Sequence, residues 1–198
     1  DFLDYKKYMK NPKKFKLSDE YKQLQEYKTL KKDKDLIRLA SMLHDVGKVG
    51  IPDKILKKPD KLTDEEFEII KWHTVYGGRL FANQTSSLDA MSADIALNHH
   101  EKWNGGGYPG RMAALDNPGK SLGVPKQGPD IPLTARIVAL ADVYDALSSA
   151  RAYKQSWSEE RVLEIIESES GRHFDPELVA AFFKILGVIR AIQNKYKE

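Results

Sequence analysis

The segment that most constrains the fold is ARIVALADVYDALSSA, residues 135–150, which is apolar almost all the way round. A helix of that kind is normally buried on every side, so we expect it at the centre of the domain. Asp142 lies in its middle, and Asp145 follows on a neighbouring part of the same face. A buried carboxylate without a partner is very costly, so Asp142 must be paired with a cation, hydrogen-bonded or bound to a metal. A purely structural role for both acids, as hydrogen bonders between helices, stays open at this point.

The other regular patterns are also helical. Helical spacing is shared by the apolar residues that precede the sequence HDVGK, which are Leu36, Ile37, Ala40 and Leu43. Two capping boxes, Thr63 with Glu66 and Ser156 with Glu159, each predict the start of a helix. Further helices are predicted at about residues 88–98 and, as the last helix, from Asp175-Pro176 through ELVAAFFKIL, which ends at residue 186. No segment alternates convincingly with period two, so the sequence predicts an all-α fold.

Two segments are predicted to lack regular helices. Residues 51–62, IPDKILKKPDKL, contain two prolines and are interpreted as a loop. The stretch from about residue 105 to 132, which includes a long loop at 110–131, is rich in Gly and Pro, and its length indicates a functional loop or lid. The lysine-rich start of the chain is interpreted as a solvated helical segment at 1–33, followed by one domain at 34–198.

Composition excludes several classes of protein. The chain has no cysteine, which excludes disulfides and thiolate metal sites and permits a reducing cytosol. It has no run of about 18 or more apolar residues, so no membrane span is predicted. The formal net charge of +3 does not point to nucleic acid, and no DNA partner is expected. Because the sequence begins with Asp rather than Met, we expect either a piece of a longer protein or a processed start.

The placement of histidine is the strongest chemical signal. Four of the five histidines lie at predicted helix ends or faces near Asp or Glu, whereas His173 precedes the last helix and is interpreted as structural. Six side chains are candidate metal ligands: His44, Asp45, His73, His99, His100 and Asp142. Imidazole and carboxylate without thiolate suit Fe, Mn, Zn or Ni. Six ligands exceed what one tetrahedral zinc needs and suit a two-metal centre, which predicts metal-assisted hydrolysis of a phosphate ester.

Several neighbouring residues are candidates for holding a phosphorylated ligand. Lys48, three residues after Asp45, is placed to meet a phosphate, although an exposed turn lysine is an equal alternative. Tyr108 and Pro109 offer a flat ring and a rigid apolar face to a nucleobase, or form a mere turn. Arg151 and Lys154 follow the apolar helix and could hold a second phosphate.

Together these motifs resemble the HD-GYP domain, a branch of the HD phosphohydrolase superfamily. The sequences HDVGKVGIP, HTVYGG, HHEKWNGGGYP and ADVYDALSSARAYK occur in the order typical of that family, and HFDPELV is similar to its C-terminal part. The resemblance covers about residues 36–183. It implies a helical bundle around two or three metal ions, commonly iron or manganese. It also implies a phosphodiesterase that converts cyclic di-GMP to the linear dinucleotide pGpG and then to GMP.

The same resemblance implies a cellular setting and residue roles. Such domains are cytoplasmic outputs of bacterial signalling proteins, preceded by a sensory or receiver domain, and a homodimer partner is left open. The six candidate ligands match metal ligands of the family, with Asp45 bridging two metals and acting with Lys48 in catalysis. Positions that hold the cyclic dinucleotide in the family are matched by Lys48, Tyr108, Pro109, Arg151 and Lys154.

Two departures from the family pattern keep other functions open. The family has a histidine upstream of the HD pair, but none precedes His44 here, so water, Glu20 or another carboxylate would have to replace that ligand, and a third metal is not expected. The loop after Pro109 is also longer than the compact family form. An active cyclic di-GMP phosphodiesterase is favoured. The alternatives are a catalytically impaired module that binds a cyclic dinucleotide and a hydrolase of another cyclic dinucleotide.

Overall fold

The computed structural model describes residues 33–83, 85–112, 122–149 and 157–196. By its internal contacts the chain divides into Asp1–Leu39 and Ala40–Glu198. Most of the first unit lies outside the described ranges, so the lysine-rich helical segment at 1–33 and the boundary after it stay predictions. The clustered histidines all lie in the second unit.

The described residues form eight α-helical segments and two short 3-10 helices. In chain order the α-helices are α1 (residues 33–41), α2 (Asp53–Leu56), α3 (Asp64–Leu80), α4 (Ser87–Asn98), α5 (Leu133–Ser148), α6 (Glu159–Ser168), α7 (Pro176–Lys184) and α8 (Leu186–Tyr196). The 3-10 helices are Val46–Gly50 and Gly128–Asp130. Within the described ranges no strand occurs, and the predicted all-α fold class is confirmed there.

Local capping chemistry explains where several helices begin. The Thr63 hydroxyl accepts from the backbone N–H of Glu66 at 3.2 Å, and the Glu66 carboxylate accepts from the backbone N–H of Thr63 at 2.8 Å. This confirms the predicted capping box at the start of α3. The Asp175 carboxylate accepts from the backbone N–H of Glu177, with Pro176 at the first position of α7, as predicted.

Two predictions about connections are wrong in part. Residues 51–62 are not all loop, because Asp53–Leu56 make one helical turn directly after Pro52. The helix predicted from Asp175-Pro176 through residue 186 ends at Lys184 and is not the last, because α8 begins at Leu186. Gly187, the second residue of α8, lies close to this break.

Helix α5 supplies residues to two hydrophobic clusters. Leu140 and Tyr144 pack with buried side chains of α6, α7 and the turn between them, which are Val162, Ile166, Phe174, Val179 and Phe182. Val138 packs with Ala40 and Ile95 in a second, smaller cluster. The prediction that α5 is buried on every side is wrong, because Ala141 and Asp145 are exposed. Alanine makes a helix look apolar in sequence but loses little by facing solvent.

A close backbone contact joins the Val46–Gly50 helix to α3. A Cβ atom at Gly47 would lie 1.9 Å from the backbone oxygen of His73, so no larger residue fits there. Helix α3 packs in turn against α4, and α4 against α5. This chain of contacts brings the end of α4, the middle of α3 and the HD pair to one place. None of the described helices is both long and apolar enough to cross a lipid bilayer.

Candidate metal centre

One carboxylate and three imidazoles from three parts of the chain converge in the second unit. Asp45, His73, His99 and His100 each offer a ligand atom, and these atoms all lie within 4.8 Å of one another. Asp45 immediately precedes the Val46–Gly50 helix, His73 lies on α3, and the histidine pair directly follows α4. The predicted placement of that pair at a helix end is confirmed, and it allows both rings to face the same space.

Backbone carbonyls set the orientation of three histidine rings. The Nδ1 atoms of His44 and His73 donate to the carbonyls of Ser41 at 2.6 Å and Ile70 at 2.7 Å. His99 Nδ1 lies 3.1 Å from the carbonyl oxygens of Ile95 and Ala96. Because a carbonyl only accepts, Nδ1 carries the proton in each ring. In the neutral rings Nε2 is therefore left with a free lone pair, which is how a metal-ligating histidine is usually held.

Those free lone pairs point toward one another and toward a carboxylate oxygen. His73 Nε2 lies 3.5 Å from His99 Nε2, and Asp45 Oδ1 lies 3.3 Å and 3.7 Å from the two nitrogens. Asp45 Oδ1 is buried and has no hydrogen-bond partner. Three acceptor atoms facing one buried space repel unless a cation lies between them. The donor set of this site therefore fits a metal ion.

Burial keeps two of the clustered histidines, His73 and His100, in the neutral protonation state that binding of a metal requires. Desolvation lowers the pKa of His73 to about 4. Desolvation, reinforced by His99 and His73, also holds the pKa of His100 well below its usual value. Desolvation alone would raise the pKa of Asp45, but polar neighbours, among them the Lys48 ammonium, outweigh it and hold that pKa well below its usual range. At neutral pH the site therefore presents neutral His73 and His100 and an ionised Asp45.

A second group of ligands adjoins the other oxygen of Asp45. His44 Nε2 lies 3.4 Å from Asp45 Oδ2 and 3.7 Å from Asp142 Oδ1. The side chains of His44 and Asp142 are 23% and 33% exposed, so this side of the site is more open than the side of His73. Asp142 is thus not deeply buried, and its cost in the fold is smaller than its position in an apolar helix predicts. Asp145 is exposed and accepts a hydrogen bond from Ser149 instead.

The predicted phosphate-binding lysine lies at the edge of this group. Lys48 Nζ donates to Asp45 Oδ2 at 2.5 Å, and its side chain is 44% exposed. The ammonium therefore balances the charge of Asp45 while remaining accessible to a ligand.

The GYP segment packs directly against the histidines. The Tyr108 ring stacks on His100, with ring centroids 4.9 Å apart, and meets the edges of Phe67 and His73. One face of the tyrosine is thus already occupied by His100. Pro109 is almost completely buried, so its ring is not accessible to a nucleobase and the predicted contact is corrected. A Cβ at Gly107 would lie 2.3 Å from the backbone nitrogen of Lys102, which explains a glycine directly before this tyrosine.

A buried glutamate that the sequence reasoning passed over holds this segment in place. Glu101 is 2% exposed. Its Oε1 accepts from the backbone N–H of Gly110 at 2.5 Å, and its Oε2 accepts from the backbone N–H of Lys126 at 3.1 Å. Burial raises the pKa of its carboxyl, and the two amides oppose that shift. The signal was available, because a glutamate directly after two ligand histidines is a candidate for supporting them.

Comparison with known proteins identifies the family. The sequence model of the HD domain matches residues 9–178. This chain belongs to the HD domain family. The predicted resemblance to the HD-GYP branch is confirmed by its relatives, which include proteins of that branch.

Curated relatives of this HD domain carry related names. The chain is 46% identical over 169 residues to a cyclic di-GMP phosphodiesterase of Vibrio cholerae, covering 83% of this chain and 32% of that protein. It is 42% identical over 162 residues to a cyclic di-GMP phosphodiesterase of Thermotoga maritima, covering 82% and 40%. It is 45% identical over 145 residues to 3'3'-cGAMP-specific phosphodiesterase 2 of Vibrio cholerae, covering 73% and 25%. The chain therefore spans between a quarter and two fifths of the length of these relatives.

The structure describes most, but not all, of the predicted site residues. The structure gathers the other five candidate ligands around Asp45, with Lys48 and Tyr108 at their edge. His173 is outside the cluster and stacks on Phe174, with ring centroids 4.4 Å apart. Arg151, Lys154 and Glu20 lie outside the described residues, as does the middle of the long loop at 110–131.

Proposed function

We propose that this chain is a metal-dependent phosphodiesterase that hydrolyses cyclic di-GMP to linear pGpG, GMP or both, as the output domain of a bacterial signalling protein. The observation that carries the proposal is the cluster of Asp45, His73, His99 and His100, whose acceptor atoms face one small, largely buried space. A structural helical domain has no reason to gather three histidines, two of them buried, around a carboxylate, because the arrangement costs free energy without a cation. The names of the relatives supply the substrate class.

The residues present fit two divalent metal ions that share Asp45. One ion would be held by Asp45 Oδ1, His73, His99 and His100, and the other by Asp45 Oδ2, His44 and Asp142. Iron or manganese is the first expectation for this ligand set, with zinc and nickel as alternatives. When bound, such a pair supplies an activated water and stabilises charge on phosphoryl oxygens.

The residues of the chain have separate roles in orienting the centre, balancing charge and binding the dinucleotide. Asp45 orients the centre, because its two oxygens face different groups of ligands. Lys48, beside Asp45 and accessible, balances negative charge on a phosphoryl oxygen. Tyr108 would contact a guanine with the part of its ring that His100, Phe67 and Lys71 leave uncovered. Arg151 and Lys154 would hold the second phosphate. No described side chain is assigned as general acid for the leaving oxygen.

A second candidate substrate is another cyclic dinucleotide, 3'3'-cGAMP. The specific observation is that a relative named for that substrate is 45% identical, nearly the same as the 46% of a cyclic di-GMP enzyme. Both substrates carry the same phosphodiester, so the metal cluster serves either. Selection would come from the residues that touch the second base, a guanine in one ligand and an adenine in the other.

Further expectations about setting remain part of this proposal. The chain lacks the upstream histidine, so a module that binds a cyclic dinucleotide without turnover is the alternative that the ligand count favours. A cytoplasmic location, a preceding sensory or receiver domain and a homodimer are expected on the family resemblance alone.

The test is turnover by purified protein loaded with Mn²⁺ or Fe²⁺. Cyclic di-GMP and 3'3'-cGAMP are incubated separately, and linear products are separated by chromatography. We expect linear pGpG or GMP from wild type and none from Asp45→Asn. Stoichiometric binding of cyclic di-GMP without a linear product would instead establish the binding module. A higher kcat/KM for 3'3'-cGAMP would establish the second candidate substrate.

A further inference from the structure

The long loop after the GYP segment begins and ends beside Glu101. Its two described arms are paired: Arg111 N–H donates to the Val124 carbonyl, and Gly123 N–H donates to the Pro109 carbonyl, both at 2.8 Å. The backbone amides of Gly110, between the paired Pro109 and Arg111, and of Lys126, two residues after Val124, both donate to the Glu101 carboxylate. One buried side chain thus closes the base of the loop from both sides.

Glu101 also connects the base of the loop to the residues of the candidate metal centre. It directly follows the ligand pair His99-His100. The backbone N–H of Tyr108 donates to the His100 carbonyl at 3.2 Å, and two residues later Gly110 is bound by Glu101. Hydrogen bonds to the His100 carbonyl and to the Glu101 side chain therefore hold the two ends of the segment 100–110 together, and the Tyr108 ring of this segment lies against His100. A second tie runs from Lys126 Nζ to Asn98 Oδ1 at 2.6 Å, at the end of α4.

We propose that Glu101 is a positioning residue for substrate: by binding the amides of Gly110 and Lys126 it fixes the backbone that holds the Tyr108 ring over His100. This inference rests on the proposed function and deepens it. Glu101 does not touch the reacting phosphate. It acts through the backbone that carries Tyr108, so its loss affects the binding of the nucleobase more than the chemical step.

The test is Glu101→Gln, which keeps the size of the side chain. A neutral amide accepts from one of the two backbone N–H groups and turns its own NH₂ toward the other. For cyclic di-GMP we expect KM to rise about tenfold, because a buried donor loses its charged partner. We expect kcat to change by less than about threefold, since no reacting group is touched. The bound metal content should be unchanged. Amide hydrogen exchange should become faster at residues 108–111 and 124–127.

The matched control is Glu66→Gln in the capping box of α3. Glu66 also accepts a backbone amide through its carboxylate, but at a helix start outside the loop. We expect KM and kcat of this control to stay within about twofold of wild type. If Glu101→Gln does not fold by circular dichroism, Glu101→Asp takes its place, because it keeps the charge and shortens the reach.

Each outcome decides the proposal. Faster exchange with an unchanged KM in an active enzyme would overturn the positioning role alone. A joint fall of kcat and metal content, with KM unchanged, would show that Glu101 supports the ligand histidines and would also overturn it. A wild-type protein that turns over no cyclic di-GMP would overturn the positioning role together with the proposed function. A raised KM with metal content and kcat retained would support it.

Discussion

The two sides of α5 have opposite surroundings. On one side, Leu140 and Tyr144 enter an apolar cluster with α6 and α7, where burial stabilises the fold. On the other side, Asp142 faces His44 at the edge of the cluster around Asp45, where polar groups are held close together. The apolar side is satisfied by the protein itself, whereas the polar side leaves Asp45 Oδ1 without a partner. One side of α5 thus contributes to the stability of the fold, and the other side contributes to the proposed metal centre. Substitutions on the apolar side should therefore lower stability, and substitutions on the polar side should lower activity.

The largest expected effect is on the polar side. Asp45→Asn keeps the shape of the side chain but removes the charge between the two groups of ligands. We expect turnover of cyclic di-GMP to fall by more than about a hundredfold. Even the loss of a residue that only hydrogen-bonds a metal ligand typically lowers metal affinity or activity by about ten- to a hundredfold, and Asp45 is itself a proposed ligand. The free energy of unfolding of the metal-free protein should change by no more than about 1 kcal/mol, since Asp45 is partly exposed. Turnover assays and urea denaturation measure the two effects. Full activity in this variant would remove the bridging role.

The reverse effect is expected on the apolar side. Ile166 on α6 is fully buried in the cluster that receives Leu140 and Tyr144. Ile166→Ala should lower the free energy of unfolding by about 2–5 kcal/mol through lost burial and a cavity. In the folded protein kcat should remain near that of wild type. Inactivity of a variant shown to be folded would mean that the two sides of α5 are not separable.

The stabilisation of metal-free protein by added Mn²⁺ distinguishes the two sides of α5 in a third way. Adding Mn²⁺ to metal-free protein should stabilise it by about 2.7 kcal/mol when the free ion is a hundredfold above its dissociation constant. The gain should persist in Ile166→Ala and disappear in Asp45→Asn, because only the latter touches the ligands. Thermal melting with and without Mn²⁺ reports the difference. An equal gain in both variants would place the ion elsewhere.

The smallest expected effect lies on the apolar side of α5 itself. The Tyr144 hydroxyl donates to Gln193 Oε1 at 3.0 Å, near the C-terminus of the chain. Tyr144→Phe removes this bond and keeps the ring, so the free energy of unfolding should fall by about 1 kcal/mol or less. Both kcat and KM should be unaffected. A loss of activity here would show that α5 transmits small changes from its apolar side to the ligands.

The sequence predicts features that depend on near neighbours along the chain. The Thr63–Glu66 capping box and the Asp175-Pro176 start are local and were predictable, as was the ligand pair at the end of α4. Ser156 and Glu159 also match a capping box, yet the N-cap of α6 is Ser158, whose hydroxyl accepts from Arg161, so that prediction is wrong. Two serines two residues apart compete for such a role, and local pattern alone does not decide between them.

Features that depend on distant contacts were missed for a physical reason. The partners of Glu101 arrive from 9 and 25 residues further along, and only the folded loop brings their amides to one carboxylate. The burial of Pro109 and the open side of α5 are likewise set by what packs nearby. The convergence on Asp45 was predicted from the residue types and the family resemblance, not from any periodicity.

The most direct test of the central claim is calorimetric titration of Mn²⁺ into metal-free wild type, His73→Gln and Asp142→Asn. The account predicts two sites in wild type. The tighter site includes the more buried His73. The weaker site includes the more exposed His44 and Asp142, and it lacks the ligand that the upstream histidine of the family would supply. His73→Gln should lose the tight site, and Asp142→Asn should lose only the weak one. Absence of Mn²⁺ binding in wild type, or binding that neither variant alters, would contradict the claim that these side chains form a metal centre.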